Sequence, residues 1–302
     1  MTGVAPRLAL ATCAAVPDLD PEGQLLLAAC REAGMEAEAA IWDDADVDWE
    51  GFELVVLRST WDYKDKPAEF RAWCGRLGRR LRNTPEIVAW NVSKHYLEVL
   101  RGWGFPVVAT VFLEPGACHE EIAGTFPGAG EFVVKPAISA GSTDTARYVA
   151  ADDADRERAL GHANDLLSDG RTVMVQPFIA SVETEAETAV ILLAGEPVHA
   201  IRKGPLLDVG QGLEQGLFRE EDISLRQAHQ DELRLAQSIV ERFSAEVAPP
   251  LYARVDMLRD DAGNPTVLEL ELIEPSLTLD YSPSSLARMV ELLGAELGAA
   301  GR

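Results

Sequence analysis

Lysine is scarce in this chain of 302 residues: five lysines stand against 22 arginines. Ordinary basic positions are therefore filled by arginine. Each lysine that is kept (Lys64, Lys66, Lys94, Lys135 and Lys203) is a candidate site for a compact, flexible ammonium. Positive charge as a whole is short, with a formal net charge of −23. Such a field repels nucleic acid and anionic membrane, so the expected partner is a small molecule, met where local cations override the surroundings. The four cysteines (Cys13, Cys30, Cys74, Cys118) form no CxxC pair and the five histidines no HxxxH or HExxH pair. A zinc site or disulfide framework is excluded on that spacing, and a reducing cytoplasm is expected. The phosphate loop GxxxxGK(S/T), the GxSxG elbow and the kinase motifs are all missing. The N-terminal LALATCAAV is too short to span a bilayer and follows no basic region, so it reads as a first strand. Gly210, Gly212 and Gly216 lack dinucleotide-loop spacing, and the glycine-rich stretch 204–216 predicts a mobile loop over an active site.

What is present belongs to a folded protein: 47% hydrophobic and 25% charged residues, with length for about two domains. Apolar runs at 7–12, 37–41 and 54–57 alternate with helical patterns at 21–33 and 66–80. This alternation predicts a small parallel sheet ending near residue 90, with loops at the strand ends able to hold ligand. Beyond Trp90 the spacing predicts a helix capped by Asn91 and running through Leu100, strands at 107–112, 132–135 and 173–176, and a helix at 154–168. From Glu187 the pattern turns antiparallel, with strands at 188–193 and 197–203. A helix over 225–245 follows, then strands at 251–258 and 266–273 around an Asp-Asp-Ala-Gly-Asn turn, and a last helix at 284–297.

Four segments carry candidate chemistry. Lys135 ends the apolar strand EFVVK, and the next loop holds Ser139, Gly141, Ser142 and Thr143. Small residues there let backbone N–H groups and hydroxyls fold over phosphate oxygens. Lys94 is expected at a helix start, where the macrodipole disfavours a cation, a placement explained if the ammonium faces a phosphate. The strand VMVQPFI ends in proline, which leaves backbone groups to read an adenine edge or makes a plain edge strand. In LELELIEP the period of two puts Glu269 and Glu271 on one face, with Leu268, Leu270 and Leu272 turned to the core. Arg254 and Asp256 share a face of the partner strand. Three carboxylates across a hairpin suit Mg²⁺, or form an exposed acidic face.

Lys94, VVKP with its Ser/Gly loop, VQPFI, RVDM and LELELIEP, in that order, resemble the ATP-grasp superfamily over residues 90–280. The resemblance implies an α/β (α+β) ATP-grasp fold behind a Rossmann-like pre-ATP-grasp domain (1–90), with a central lid subdomain (91–180) and a C-terminal subdomain holding the metal (181–302). It implies ATP and Mg²⁺. Lys94 and Lys135 would hold the α- and β-phosphates, and Gln176, Phe178 and Ile179 the adenine. Glu183 would hold the ribose, with Glu185 and Glu187 as rivals. Asp256, Glu269 and Glu271 would hold the metal. The superfamily usually has Asn at the last of these, and Glu274 leaves the third ligand open.

LRSTWDY, HAIRKGP, YARVDM and ELELIEPSL further resemble the branch that closes O-ureido-D-serine to D-cycloserine. That likeness implies a carboxylate activated as an acyl phosphate and attacked by a nitrogen of the same molecule. The alternative is a ligase joining a separate amine. A nucleotide-binding module without turnover is the reading from another class, and the intact carboxylate set argues against it. Lys203 and Arg202 would reach the γ-phosphate, and Arg254 the substrate carboxylate. Arg58, Ser59, Thr60, Asp62 and Tyr63 would hold an amino-acid-like substrate, or form a capped turn, with Trp61 as packing. His199 and Asp280 are candidate bases, neither assigned. A homodimer or homotetramer is implied by the resemblance alone.

Overall fold

The structure, a computed structural model, describes residues 6–207 and 222–300, so most of the glycine-rich stretch lies outside the described residues. The chain opens with β1 (Arg7–Thr12), α1 (Pro21–Glu32), β2 (Glu36–Ile41), β3 (Leu54–Ser59), α2 (Pro67–Leu77) and the two-residue β4 (Leu81–Arg82). The strands form a parallel sheet ordered β2-β1-β3-β4. β1 and β3 are buried along nearly their whole length, as uninterrupted apolar runs covered on both faces must be. Asp20 caps α1 through the Glu22 N–H, with Pro21 preset at the first helical position.

The chain continues through α3 (Pro85–Asn91), α4 (Tyr96–Gly102), β5 (Val111–Leu113), α5 (His119–Thr125), β6 (Glu131–Pro136), β7 (Ala146–Val149), α6 (Asp153–Ser168) and β8 (Val173–Pro177). These strands pair antiparallel as β5-β8-β6-β7, and α5 and α6 cover one face around Phe132, Val134, Ala163 and Leu166. The third part holds α7 (Ser181–Glu185), β9 (Glu187–Leu193), β10 (Glu196–Lys203), β11 (Ile223–Arg226), α8 (Gln230–Glu246), β12 (Tyr252–Arg259), β13 (Pro265–Glu271) and α9 (Pro283–Ala300). Its sheet runs β11-β10-β9-β12-β13, all antiparallel. α8 covers one face, its Ile239 and Phe243 sharing a core with Val255 of β12. On the other face Ile191, Leu193 and Tyr252 share a core with α1, α9 and the parallel sheet, which joins the first and third parts.

The mixed α/β architecture matches the expectation, with local differences. The helix expected from Asn91 through Leu100 starts only at Tyr96, as α4. Asn91 ends α3, and its side chain donates to Leu270 O (2.8 Å) and accepts from Leu272 N (2.9 Å). It is a clamp on β13 rather than a cap. Lys94 sits in the turn between α3 and α4, just before His95, the N-cap of α4, and so at a helix start as expected. Of the strand expected at 107–112, only Val111–Leu113 is a strand, and Val107 makes a single bridge to Val267. Leu225 pairs in β11 instead of opening α8. Leu268 is not core: the register slips between Asp256 and Met257, leaving Leu268 as the extra residue beside the cavity described below. Among the described residues no helix is long and apolar enough to cross a membrane.

Candidate active site

A cavity of about 260 Å³ lies between the two antiparallel sheets and is closed at one end by Trp61 and Tyr63 of the N-terminal part. Period-two geometry explains its walls. β6 turns Val133 and Lys135 inward and β8 turns Gln176. Across the gap stand Lys203 of β10, Arg254 and Asp256 of β12, and Glu269 and Glu271 of β13. Lys94 enters from the α3–α4 turn. Thus three of the five lysines converge here, while Lys64 and Lys66 pair with Asp65 and Asp43 elsewhere.

The charges interlock. Lys135 Nζ lies 2.7 Å from Glu269, and Lys203 Nζ lies 3.0 Å from Asp256 and 3.4 Å from Glu187. Arg254 grips Asp256 with two donors at 2.8 and 2.9 Å, pairs with Glu271, and donates to Ser276 O at 3.1 Å. Burial raises the Asp256 carboxyl, but Arg254 and Lys203 outweigh it and hold the group below its ordinary value. Glu269 is likewise lowered, burial being overcome by Lys135 and Lys94. Glu271 goes the other way, pushed up to about 7 by burial and by Asp256 and Glu269, against the pull of Arg254. Glu274, just beyond β13, is pushed up to about 8 by burial and Glu271.

Lys94 Nζ donates to the Ser139 carbonyl (3.2 Å) and hydroxyl (3.1 Å), fixing the loop after β6. Gly141 and Ser142 turn that loop in the left-handed region, φ 60° and 57°, which small residues tolerate. Ser139, Gly141 and Ser142 line the cavity. Thr143 does not: it is buried, its hydroxyl donating to Ala140 O, and Thr145 lines the wall instead. Gln176, Phe178 and Ile179 line the far end. Phe178 lies under the Arg147 guanidinium, 3.5 Å from carbon to ring centre.

Several expected site residues face elsewhere. Glu183, on α7, is absent from the cavity lining and pairs with Arg147 at 2.7 Å, whereas its rival Glu187 lines the wall. Glu185 stands 3.9 Å from Arg259. Arg202 alternates with Lys203 and so points away, pairing with Asp222 on the surface. Arg58 is 3% exposed and holds Glu22 (3.1 Å) and Pro275 O (3.1 Å). Ser59 donates to Asp20, Thr60 is fully buried, and Asp62 accepts from Trp42 at 2.7 Å. Within LRSTWDY only Trp61 and Tyr63 reach the cavity, so the segment is a buried corner more than a binding loop. His199 bonds Ser285 (2.8 Å) and Thr278 (3.1 Å), and burial lowers its pKa; exposed Asp280 does not line the cavity.

Two residues that the sequence reading missed support the site. Glu22 accepts four bonds, from Arg58, Ser276 Oγ and the N–H groups of Leu277 and Thr278, and so locks the loop that carries Ser276 and Thr278 into the cavity. Arg147 joins Glu131, Glu183, the Leu207 carbonyl and the Phe178 ring. Neither has a sequence signal, because its partners lie 16 to 256 positions away.

The donor chemistry fits a hard divalent cation. Asp256 and Glu269 face each other across β12 and β13, with Glu271 one register step on, opposite Arg254. Burial first, and then the neighbouring Asp256 and Glu269, hold Glu271 up against the pull of Arg254. Among the described residues no three acidic, histidine or cysteine side chains already surround a common point. Few carboxylates completed by phosphate oxygens is the arrangement Mg²⁺ favours.

Comparison with known proteins bears on this geometry. Residues 8–83 match the family described as D-cycloserine synthetase DcsG, N-terminal domain. The chain is 35% identical to the cycloserine biosynthesis protein DcsG of Streptomyces lavendulae, over 96% of this chain and 98% of that protein. The crystal structure of D-cycloserine synthetase DcsG superposes with a TM-score of 0.87 at 35% identity, covering 96% of this chain and 99% of that one. D-alanine–D-alanine ligase from Bacillus anthracis, solved with ATP, superposes with a TM-score of 0.69 at 13% identity, over 98% and 99% of the two chains, a likeness of fold.

Proposed function

Because the chain belongs to the D-cycloserine synthetase (DcsG) family and is an ATP-dependent ligase of ATP-grasp fold, we propose that it closes O-ureido-D-serine to D-cycloserine. In this reading ATP activates the carboxylate as an acyl phosphate, and ADP is released. The ureido nitrogen bonded to oxygen then attacks the acyl carbon and expels phosphate. The carbamoyl group leaves, with water, as CO₂ and NH₃. One observation carries the reading: three of five scarce lysines meet Arg254 and the Asp256–Glu269–Glu271 set in one cavity.

Each residue has a physical task. Lys94 and Lys135 neutralise the α- and β-phosphates, and Lys203 the transferring phosphoryl group. Gln176, Phe178 and Ile179 hold the adenine, and Glu187, which lines the cavity, replaces Glu183 at the ribose. Asp256, Glu269 and Glu271 would hold Mg²⁺, which when bound lowers the cost of charge spreading over the phosphoryl oxygens. Were Glu271 to hold the cation, Arg254 would be released from it. Its planar donors then suit the substrate carboxylate and later the acyl oxygen. Because one molecule carries both carboxylate and nucleophile, proximity replaces the entropy of collecting a second amine.

The test is ADP release with Mg·ATP and O-ureido-D-serine alone, with products followed by mass spectrometry. ADP together with the cyclised product supports the reading. Turnover only after a separate amine is added overturns it in favour of an intermolecular ligase using the same cavity.

A further inference from the structure

An amino acid offers a carboxylate and an ammonium, so a site that selects amino acids needs a spare anion as well as a cation. Five carboxylates line the cavity: Glu187, Asp256, Glu269, Glu271 and Glu274. Four already answer to cations, Glu187 and Asp256 to Lys203, Asp256 also to Arg254, Glu269 to Lys135 and Glu271 to Arg254. Glu274 makes no ion pair with any described residue. It lines the same cavity, and in the chain it lies between Glu271, which pairs with Arg254, and Ser276, whose carbonyl Arg254 holds.

Its position is fixed. The Tyr63 hydroxyl donates to the Glu274 carboxylate, and the buried Tyr63 ring is stacked on Phe70 with centroids 5.0 Å apart. The next residue, Pro275, is tied through its carbonyl to buried Arg58, and the loop after it to Glu22. A carboxylate held so firmly, beside another carboxylate and in contact with no cation, with only Lys94 pulling on it from a distance, has a desolvation cost that a bound ammonium lowers. Its raised proton affinity accords with that surplus charge.

We infer that Glu274, aimed by Tyr63, receives the α-ammonium of the substrate and makes the enzyme select amino acids over carboxylic acids that lack the amine. The assignment rests on the ligase reading of the same cavity. The binding end then has one charge for each charge of the substrate, Arg254 for the carboxylate and Glu274 for the ammonium. Tyr63, which bonds Glu274 and closes the same wall, is the positioning residue.

The experiment compares kcat/KM for ADP release with O-ureido-D-serine and with its desamino counterpart, 3-(ureidooxy)propanoate, in the wild type, Glu274→Gln and Tyr63→Phe. The wild type prefers the amine-bearing substrate. Glu274→Gln keeps the shape and the Tyr63 bond, and lowers the preference by roughly 30-fold or more, the size of losing one partner of a buried charge pair. Tyr63→Phe lowers it by roughly 10-fold, the size of one hydrogen bond to a charge. KM for ATP stays within about 2-fold of wild type in both variants, where a loosened fold would raise it as well. A wild type indifferent to the amine, or a Glu274→Gln variant that keeps the full preference, overturns the inference alone. Turnover of neither compound by the wild type overturns the ligase reading and this assignment with it.

Discussion

Glu22→Gln removes one charge and changes no volume, yet it should unlock the substrate end of the cavity. The Glu22 side chain is 5% exposed, and its oxygens accept from four donors: Arg58 and Leu277 N–H on one, Ser276 Oγ and Thr278 N–H on the other. All four distances fall between 2.8 and 3.1 Å. A glutamine amide must turn its NH₂ toward one pair, and each pair contains a backbone N–H that cannot rotate away. The buried Arg58 loses its counter-charge, and two of its nitrogens already lack partners. Burial raises the Glu22 carboxyl while Arg58 and Ser276 pull it back, so the lower part of the range for breaking a buried pair applies, about 3 kcal/mol. For a chain of this length that is roughly 6 °C of melting temperature. Differential scanning calorimetry reads the shift, and a parallel ADP assay should show a raised KM for the amino-acid-like substrate, since Ser276 and Thr278 line its end of the cavity. A melting temperature within about 1 °C of wild type, with an unchanged KM, would refute the view that Glu22 is a buried latch.

Lys135→Ala removes the cation proposed to hold phosphate and takes from Glu269 its ion pair, and should lower kcat/KM in the ADP assay by roughly 100-fold, about 3 kcal/mol of transition-state stabilisation. Arg147→Ala should raise KM for ATP by roughly 5- to 10-fold with a smaller change in kcat, because it braces the Phe178 ring without reaching the cavity. Arg147→Lys should recover only part of that loss, since an ammonium cannot stack as a plane. The Glu274 carboxyl is held up at about 8 against an ordinary 4.5, so it favours the fold fully below about pH 4.5 and that contribution is lost as pH rises to about 8. Asp256 and Glu269, held low, add a pH dependence only in acid. Ligand-free wild type should therefore lose melting temperature relative to Glu274→Gln between pH 5 and pH 8, as a paired pH series of melts will read.

The parallel sheet was legible because its strands are long apolar runs between capped helices, as in residues 7–12 followed by Asp20 and Pro21. The acidic hairpin was legible because period two puts Glu269 and Glu271 on one face and the Asp-Asp-Ala-Gly-Asn turn sets their strand beside that of Asp256, although it is the register slip that brings Asp256 opposite Glu269. The lysines stood out because the chain spends so few. Short elements escaped: β4 has two residues, β7 four, and α5 seven, too few for periodicity to show. The bulge at Leu268 escaped because a slipped register changes no residue. Arg58, Ser59 and Asp62 read as a ligand loop because polar residues after a strand look alike whether they face a substrate or one another. Their partners Glu22, Asp20 and Trp42 come from elements far away in the chain. Glu183 and Glu187 differ in sequence by four positions and in space by which side of the wall they face.

Whether one molecule supplies both the activated carboxylate and the nitrogen that displaces phosphate is read from O-ureido-D-serine carrying ¹⁸O in both carboxylate oxygens and ¹⁵N at the nitrogen bonded to oxygen, turned over with Mg·ATP in the presence of unlabelled amines. Closure within one molecule gives inorganic phosphate bearing one ¹⁸O, and a ring product that keeps the other ¹⁸O and all of the ¹⁵N. Phosphate free of ¹⁸O would contradict the acyl phosphate, and a product that has taken up unlabelled nitrogen would contradict closure within one molecule.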